Sequence, residues 1–242
     1  LCQRMAAMAL CNLASNIRNQ KKMIADNILE PVQGICKMAL DPKARTDHET
    51  VRFCLLTLAN LAVDHDNHEL LMHDCLQTLA NFSKHRDIKC RQHAVFALGN
   101  LCANHENLEQ IVKAGCLKTI ITYAFPSTDT STNVQFQAVA ALRGLATHQT
   151  IRMQLIREGT LEPLILAAST ESVEVQREVS ATLCNLALAE ENKVTMARSG
   201  VLPALIGLAQ SKDREREIHS VAALANIAEM VEGRTQRRML EE

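Results

Sequence analysis

The chain has 242 residues, of which 47% are hydrophobic and 22% charged, and its formal net charge is -1 at neutral pH. This composition can bury a core, which excludes a disordered chain, and the near-zero charge argues against nucleic acid as a partner. Aromatic residues make up only 2% and Trp is absent, so closely packed helices rich in Leu, Ala, Val and Ile are predicted rather than a sheet.

One short phrase occurs six times and predicts the long helix of a repeat. The copies are Leu10-Cys-Asn-Leu-Ala14, Leu58-Ala-Asn-Leu-Ala62, Leu98-Gly-Asn-Leu-Cys102, Leu142-Arg-Gly-Leu-Ala146, Leu183-Cys-Asn-Leu-Ala187 and Leu224-Ala-Asn-Ile-Ala228. Their central residues are 48, 40, 44, 41 and 41 positions apart. This slightly irregular period is typical of helical solenoids.

A second feature lies between these copies and predicts a sharp turn. A Gly, or an Asn in its place, can adopt a left-handed conformation and end a short first helix. The residues at this position are Asn27, Gly115, Gly159 and Gly200. In three units a proline follows, where the first turn of the next helix tolerates it, namely Pro31, Pro163 and Pro203.

Each repeat is therefore predicted to contain a short first helix, a turn, a middle helix, a polar loop and a long third helix. The main breaks are expected near residues 41–48, 125–133 and 212–213, where Pro, Asp, Ser and Thr cluster. The stretch 64–84 has Asp74-Cys75 where the Gly is expected, so we predict a shortened or fused first helix there.

This arrangement resembles the armadillo repeat of the β-catenin and importin-α families over essentially the whole chain. HEAT repeats share the period but usually have two helices and lack the repeated Gly. The resemblance implies an all-α fold, a right-handed armadillo-type α-solenoid in which three-helix repeats form a superhelix. One domain, 1–242, is predicted, with a partial repeat at 1–17, repeats at about 18–65, 66–105, 106–149, 150–190 and 191–230, and the start of a further repeat at 231–242.

The repeated Asn is predicted to point away from the core of its helix. Positions 10, 6 and 2 before it and 1 after it form an apolar seam at 3.6 residues per turn, for example Val175, Val179, Leu183 and Leu186 around Asn185. The resemblance implies that such third-helix asparagines bind a partner's main chain in a concave groove, a role that falls to Asn12, Asn60, Asn100, Asn185 and Asn226, but not to Gly144. Alternatively, each Asn hydrogen-bonds the neighbouring helix and keeps the stack in register.

Residues beside these asparagines are predicted to line the same groove. They are Arg52, Phe53, Gln92, Phe96, Phe136 and Arg177. An exposed apolar stripe rimmed by Arg marks a protein-interaction site, although Phe side chains can also fill gaps between adjacent third helices. Because Trp is absent, the aromatic slots with which importin-α grips lysine stems are missing. A β-catenin-like or vacuolar-armadillo-like scaffold fits better.

Catalysis, a cofactor and a metal are not expected. The eight glycines lie at repeat turns and single helical sites, so there is no Gly-rich phosphate loop. The densest group of potential ligands, His and Cys residues between His65 and His105, falls mostly at helix ends in polar surroundings. A zinc site would need four of them in tetrahedral geometry.

The function predicted is that of a scaffold or adaptor that binds a protein or peptide segment in the groove. Nine cysteines in mostly apolar positions, none spaced Cys-x-x-Cys, favour a reduced cytoplasmic protein, with the nucleus or the cytosolic face of a membrane as alternatives. No apolar run approaches the about 20 residues of a membrane-spanning helix. Since the first residue is Leu, we expect a fragment, and two alternatives stay open: an adaptor lipidated outside the fragment, associated peripherally with a membrane, or a nuclear-transport receptor.

Overall fold

The computed structural model describes residues 1–41, 43–127 and 131–241, with their side chains up to Glu229. These residues form fifteen α-helices and two single-turn 3₁₀ helices, His65–Asn67 and His105–Asn107, and no strand. The all-α prediction is confirmed. The chain divides into two compact units, 1–119 and 120–242, and each has its own stack of helices.

In the first unit, long helices that carry the repeated Asn pack side by side. The unit contains α1 (Cys2–Ala14), α2 (Ile17–Ala25), α3 (Leu29–Ala39), α4 (His48–Leu61), α5 (His68–Phe82), α6 (Ile88–Leu101), α7 (Leu108–Lys113) and the start of α8 (Leu117–Ala124). Helix α4 packs against α1 and α6, while α3 contacts both α4 and α5. Helix α5 is one unbroken helix, as expected for the stretch that lacks the turn glycine.

The second unit repeats this arrangement. After the end of α8 it contains α9 (Thr132–Thr147), α10 (Gln149–Arg157), α11 (Leu161–Ala167), α12 (Val173–Leu186), α13 (Glu190–Arg198), α14 (Val201–Ala209) and α15 (Arg214–Glu241). Helix α12 packs between α9 and α15. We expected a separate first helix from residue 231, but α15 continues without a break, since residues 229–233 contain no Asn, Asp, Ser or Thr to cap a new helix.

Local signals explain where the helices begin and end. Asn27 has φ 55°, and Gly115, Gly159 and Gly200 have φ between 75° and 86°, so the left-handed turns are confirmed. The expected breaks separate α3 from α4, α8 from α9 and α14 from α15, with residues 42 and 128–130 of the first two breaks outside the described residues. Side chains cap four of the six long helices at their N-termini, as where Asp47 accepts from Thr50 N.

The predicted apolar seam forms the core of each unit. Leu98 and Leu183 are 0% exposed, as are the other seam residues of α6 and α12. Seven of the nine cysteines are buried thiols, and none of the nine is paired in a disulfide. Within the described part of the chain, no helix combines the length and apolarity needed to cross a membrane.

Candidate partner-binding face

In each unit we define a third-helix face as the repeated Asn, or Gly144, together with the residues 4, 7 and 8 positions before it. In the first unit the face consists of Arg4, Met5, Met8, Asn12, Arg52, Phe53, Leu56, Asn60, Gln92, His93, Phe96 and Asn100. In the second unit it consists of Phe136, Gln137, Ala140, Gly144, Arg177, Glu178, Ala181, Asn185, Ile218, His219, Ala222 and Asn226.

Three asparagines of these faces donate a hydrogen bond to the preceding long helix. Asn60 Nδ2 lies 3.2 Å from Cys11 O, Asn100 Nδ2 lies 3.0 Å from Ala59 O, and Asn185 Nδ2 lies 3.4 Å from Arg143 O. In each case the acceptor immediately precedes the repeated Asn or Gly of the preceding helix. These bonds therefore hold adjacent helices in register, which is the alternative that sequence analysis left open.

The same bonds leave part of each amide unused. A side-chain amide carries two N–H donors and one carbonyl acceptor, and the register bond uses a single donor. Among the described contacts, none uses the Oδ1 of Asn60, Asn100 or Asn185, and all three residues are half-exposed. Asn12 is exposed and Asn226 half-exposed, and neither has a register bond among the described side chains. Register and partner binding are thus compatible roles for one residue.

A second set of hydrogen bonds was not predicted. Each connects a side chain near the start of a first helix to the carbonyl six residues earlier, at the end of a third helix, at 2.7–3.0 Å. The donors are Gln20, Asn67, Asn107, Arg152 and Asn192. The signal in the sequence is a polar residue seven or eight positions after the repeated Asn or Gly. These bonds satisfy carbonyls that a helix C-terminus leaves open.

The arginines predicted to bind a partner also connect adjacent helices. Arg52 Nη2 lies 2.7 Å from Asp87 Oδ2, and Arg177 Nη2 lies 2.6 Å from Asp213 Oδ2. Each Asp also accepts a backbone N–H at the start of its own long helix, so one carboxylate caps a helix and pairs with the previous one. Both guanidinium groups are thus engaged within the chain, because a cap carboxylate of the next helix lies within reach, and their contact with a partner stays a prediction.

An Arg occurs on the third-helix face wherever the next long helix is capped by Asp. Arg4 makes the same kind of ion pair with the cap Asp47, at 2.7 Å. Two long helices, α9 and α12, have Ser131 and Ser172 at the cap instead of Asp. On the preceding long helix, the position that is otherwise Arg is then Gln92 and Phe136, respectively. Hydrogen bonding and attraction from Arg177 lower the pKa of Asp213 to about 2. The pairing of Arg with an Asp cap is therefore readable from the sequence once the register is known.

The centre of the first unit's face is apolar and neutral. Phe53, Leu56 and Phe96 are half-buried there. Burial, assisted by the charges of Lys89 and Arg52, lowers the pKa of His93 to about 4, so this imidazole is neutral at physiological pH. This surface can receive an apolar side chain without burying a charge.

Gln92 does not lie on this open surface, contrary to prediction. It is 3% exposed, on a helix that packs against both α4 and α5, and its polar group is not free. The prediction that Gln92 lines the open groove is therefore wrong.

The second unit's face carries smaller side chains next to the repeated Asn or Gly and is more polar. Phe136 is half-buried, but the positions four residues before the repeated Asn or Gly are Ala140, Ala181 and Ala222. Glu178, with a pKa raised by burial, pairs with Arg143 at 2.8 Å. Large apolar anchors are thus concentrated on the first unit. Among the described residues, no group of three His, Cys, Asp or Glu side chains could hold a metal ion.

Comparison with known proteins gives a likeness at the level of structure. No protein-family model and no curated protein matches the sequence. Computationally designed armadillo repeat proteins for modular peptide recognition match with a TM-score of 0.79 and 25% identity, covering 92% of each chain. A second designed armadillo repeat protein matches with a TM-score of 0.80 and 25% identity over 93% of this chain and 92% of that one. A third, in complex with the peptide (KR)4, matches with a TM-score of 0.76 and 24% identity over 92% of each chain.

Proposed function

We propose that the chain, whose α-solenoid fold is similar to that of designed armadillo repeat proteins, is a protein-interaction scaffold that binds an extended or helical segment of a partner along its third-helix faces. The similar structures designed for modular peptide recognition support a peptide as the kind of ligand. Such binding needs no catalytic group or cofactor. The buried thiols support a reducing compartment such as the cytoplasm.

The observation that carries this proposal is the unused acceptor of the half-exposed asparagines. An extended peptide presents N–H groups at regular intervals whatever its sequence, and Asn60 and Asn100 offer Oδ1 to such groups from adjacent helices. Main-chain hydrogen bonds of this kind set the register of a bound peptide. Because the register bonds to Cys11 O and Ala59 O already orient both amides, little side-chain freedom is lost on binding.

Affinity would come mainly from the apolar centre of the first unit. Phe53 and Phe96 lie on adjacent long helices: Phe53 is seven positions before Asn60 on α4, and Phe96 is four positions before Asn100 on α6. With Leu56 they offer apolar surface next to the free carbonyl acceptors. A few buried aromatic contacts usually supply most of the binding energy of an interface.

The test begins with affinity capture of partners by the whole chain, followed by mass spectrometry and synthesis of the captured segment. Its Kd is then measured for wild type and for Phe53→Ala with Phe96→Ala. We expect the double variant to bind at least about 30-fold more weakly, as the loss of ~2 kcal/mol at an anchor requires. Leu166→Ala, which removes a 48% exposed apolar side chain on α11, is the control and should bind like wild type. Unchanged affinity of the double variant would place the partner elsewhere and refute the proposal.

A further inference from the structure

The first unit contains a cavity that is separate from the third-helix face. It has a volume of about 690 Å³ and lies between the loop that follows α3 and the loop that follows α5. Ligand sites for small molecules usually measure about 300–1,000 Å³. The size of this cavity therefore suits a small molecule.

The lining of the cavity is strongly biased toward positive charge. Three cationic side chains, Arg45, Lys84 and Arg86, line it, against a single carboxylate, Asp41. Asp41 is already engaged, since its Oδ1 accepts from Lys43 N at 2.9 Å. The three cations outnumber this carboxylate by two, so an anion that enters the space meets an excess of positive charge.

The two arginines differ from those of the third-helix faces. Within the described part of the chain, the guanidinium groups of Arg45 and Arg86 have no hydrogen-bond or ion-pair partner, whereas Arg52 and Arg177 are held by cap carboxylates. Both are exposed, so their donors are available to a ligand. The ammonium of Lys84 lies toward Gly115, where an added Cβ would be 3.2 Å away, so Lys84 contributes mainly through its charge.

A histidine of the lining supplies a further donor. His85 Nδ1 accepts from Asp87 N at 3.1 Å, and the His85 ring lies 5.2 Å from the ring of Phe82, which holds it in place. Burial lowers the pKa of His85, which keeps the ring neutral. With Nδ1 occupied as an acceptor, the proton of the neutral ring is on Nε2, and this N–H can donate to an anion.

We propose that this cavity binds a phosphorylated small molecule. Arg45 and Arg86 present the planar, paired donors that match phosphate oxygens, His85 adds a neutral donor, and the half-exposed Leu40 and Ala44 contact the less polar part of the ligand. The site shares no residue with the third-helix face. If the cavity does not bind a phosphorylated ligand, the proposed peptide-binding function is therefore unaffected. Failure of peptide binding would equally leave the proposal for the cavity unaffected.

The test uses inorganic pyrophosphate as the probe, titrated into the whole chain at low ionic strength by calorimetry, with amide chemical shifts as a second measurement. We expect saturable binding of one equivalent, with shift changes centred on residues 44–46 and 84–86. Arg45→Ala with Arg86→Ala should weaken binding at least tenfold without changing the thermal midpoint, since both side chains are exposed and unpaired.

Two comparisons make the result specific. Arg157→Ala with Arg198→Ala removes the same charge from exposed, unpaired arginines of the second unit and should bind pyrophosphate like wild type. A single charge reversal, Arg45→Glu, should abolish binding and serves as an independent variant. The proposal is overturned if pyrophosphate does not bind, if both double variants bind equally, or if only a phosphoserine peptide binds at these residues.

Discussion

The register bonds of the asparagines predict an ordered series of stability changes. Asn100→Ala removes the donor to Ala59 O, a carbonyl in the last turn of α4. The backbone N–H of Val63, four residues on, donates to Asn60 O instead, so Ala59 O depends on Asn100. Asn60→Ala should lower the free energy of unfolding by less, because the acceptor Cys11 O also accepts from Ser15 N at 3.2 Å. The longer bond of Asn185 should contribute least.

The magnitude follows from two opposing effects. Loss of the bond at Ala59 O costs about 1–1.5 kcal/mol, toward the upper end because the carbonyl keeps no strong partner. Replacing Asn by Ala inside a helix returns about 0.5 kcal/mol of intrinsic helix propensity. The net destabilisation expected for Asn100→Ala is therefore about 0.5–1 kcal/mol. Asn12→Ala, at an exposed residue without a register bond, should be neutral or stabilising by up to about 0.5 kcal/mol.

Urea unfolding followed by circular dichroism measures the difference between these two variants, expected to be about 0.5–1.5 kcal/mol. Hydrogen exchange provides a local measurement, because the last turn of α4 should lose protection in Asn100→Ala and keep it in Asn12→Ala. If Asn100→Ala gains as much stability as Asn12→Ala, the bond between α6 and α4 contributes nothing. Loss of stability with unchanged affinity for a captured peptide would show that Asn100 acts in register alone.

Further predictions concern the core, the ion pairs and the ligand class. Leu98→Ala and Leu183→Ala should each cost ~2–5 kcal/mol in urea unfolding, because both side chains are 0% exposed, and wild-type-like midpoints would contradict the seam. The pKa of Asp213 is lower in the folded protein, so its pairing with Arg177 stabilises the fold above about pH 4 and is lost as the pH falls toward 2. Asp213→Asn should therefore show a shallower decline of urea midpoint than wild type between about pH 5 and 2, and equal slopes would contradict this. A basic nuclear-signal peptide should not bind in the micromolar range, since no Trp is present to grip lysine stems, and such binding in a fluorescence titration would favour a transport receptor.

Much of the helical arrangement could be predicted because its causes are local. A Gly or Asn that ends a helix in the left-handed region acts within a few residues, so the turns at Asn27 and Gly115 are readable from the sequence. Helical periodicity likewise places Leu98 in the core and Asn100 away from it. The position of the third-helix asparagines on one face therefore follows from spacing alone.

The partners of those side chains could not be predicted in the same way. Whether Asn100 is free or bonded to Ala59 O, and whether Arg52 is open to a ligand or held by Asp87, depends on groups 35 or more residues away in sequence. Gln92 is likewise 3% exposed, although its spacing from Asn100 places it on the face that was predicted to be open.

The sequence by itself determined the helices, their turns and the faces they bury, because backbone preference and hydrophobic periodicity operate within a single repeat. Only the tertiary structure decided which polar groups remain available. Stacking places the acceptors of one helix beside the donors of the next, which engages Arg52 and one donor of Asn100 and leaves the Oδ1 of Asn100 and the guanidinium of Arg45 unpaired within the described chain. That distribution of free groups, and not the repeat pattern, defines where a ligand can bind.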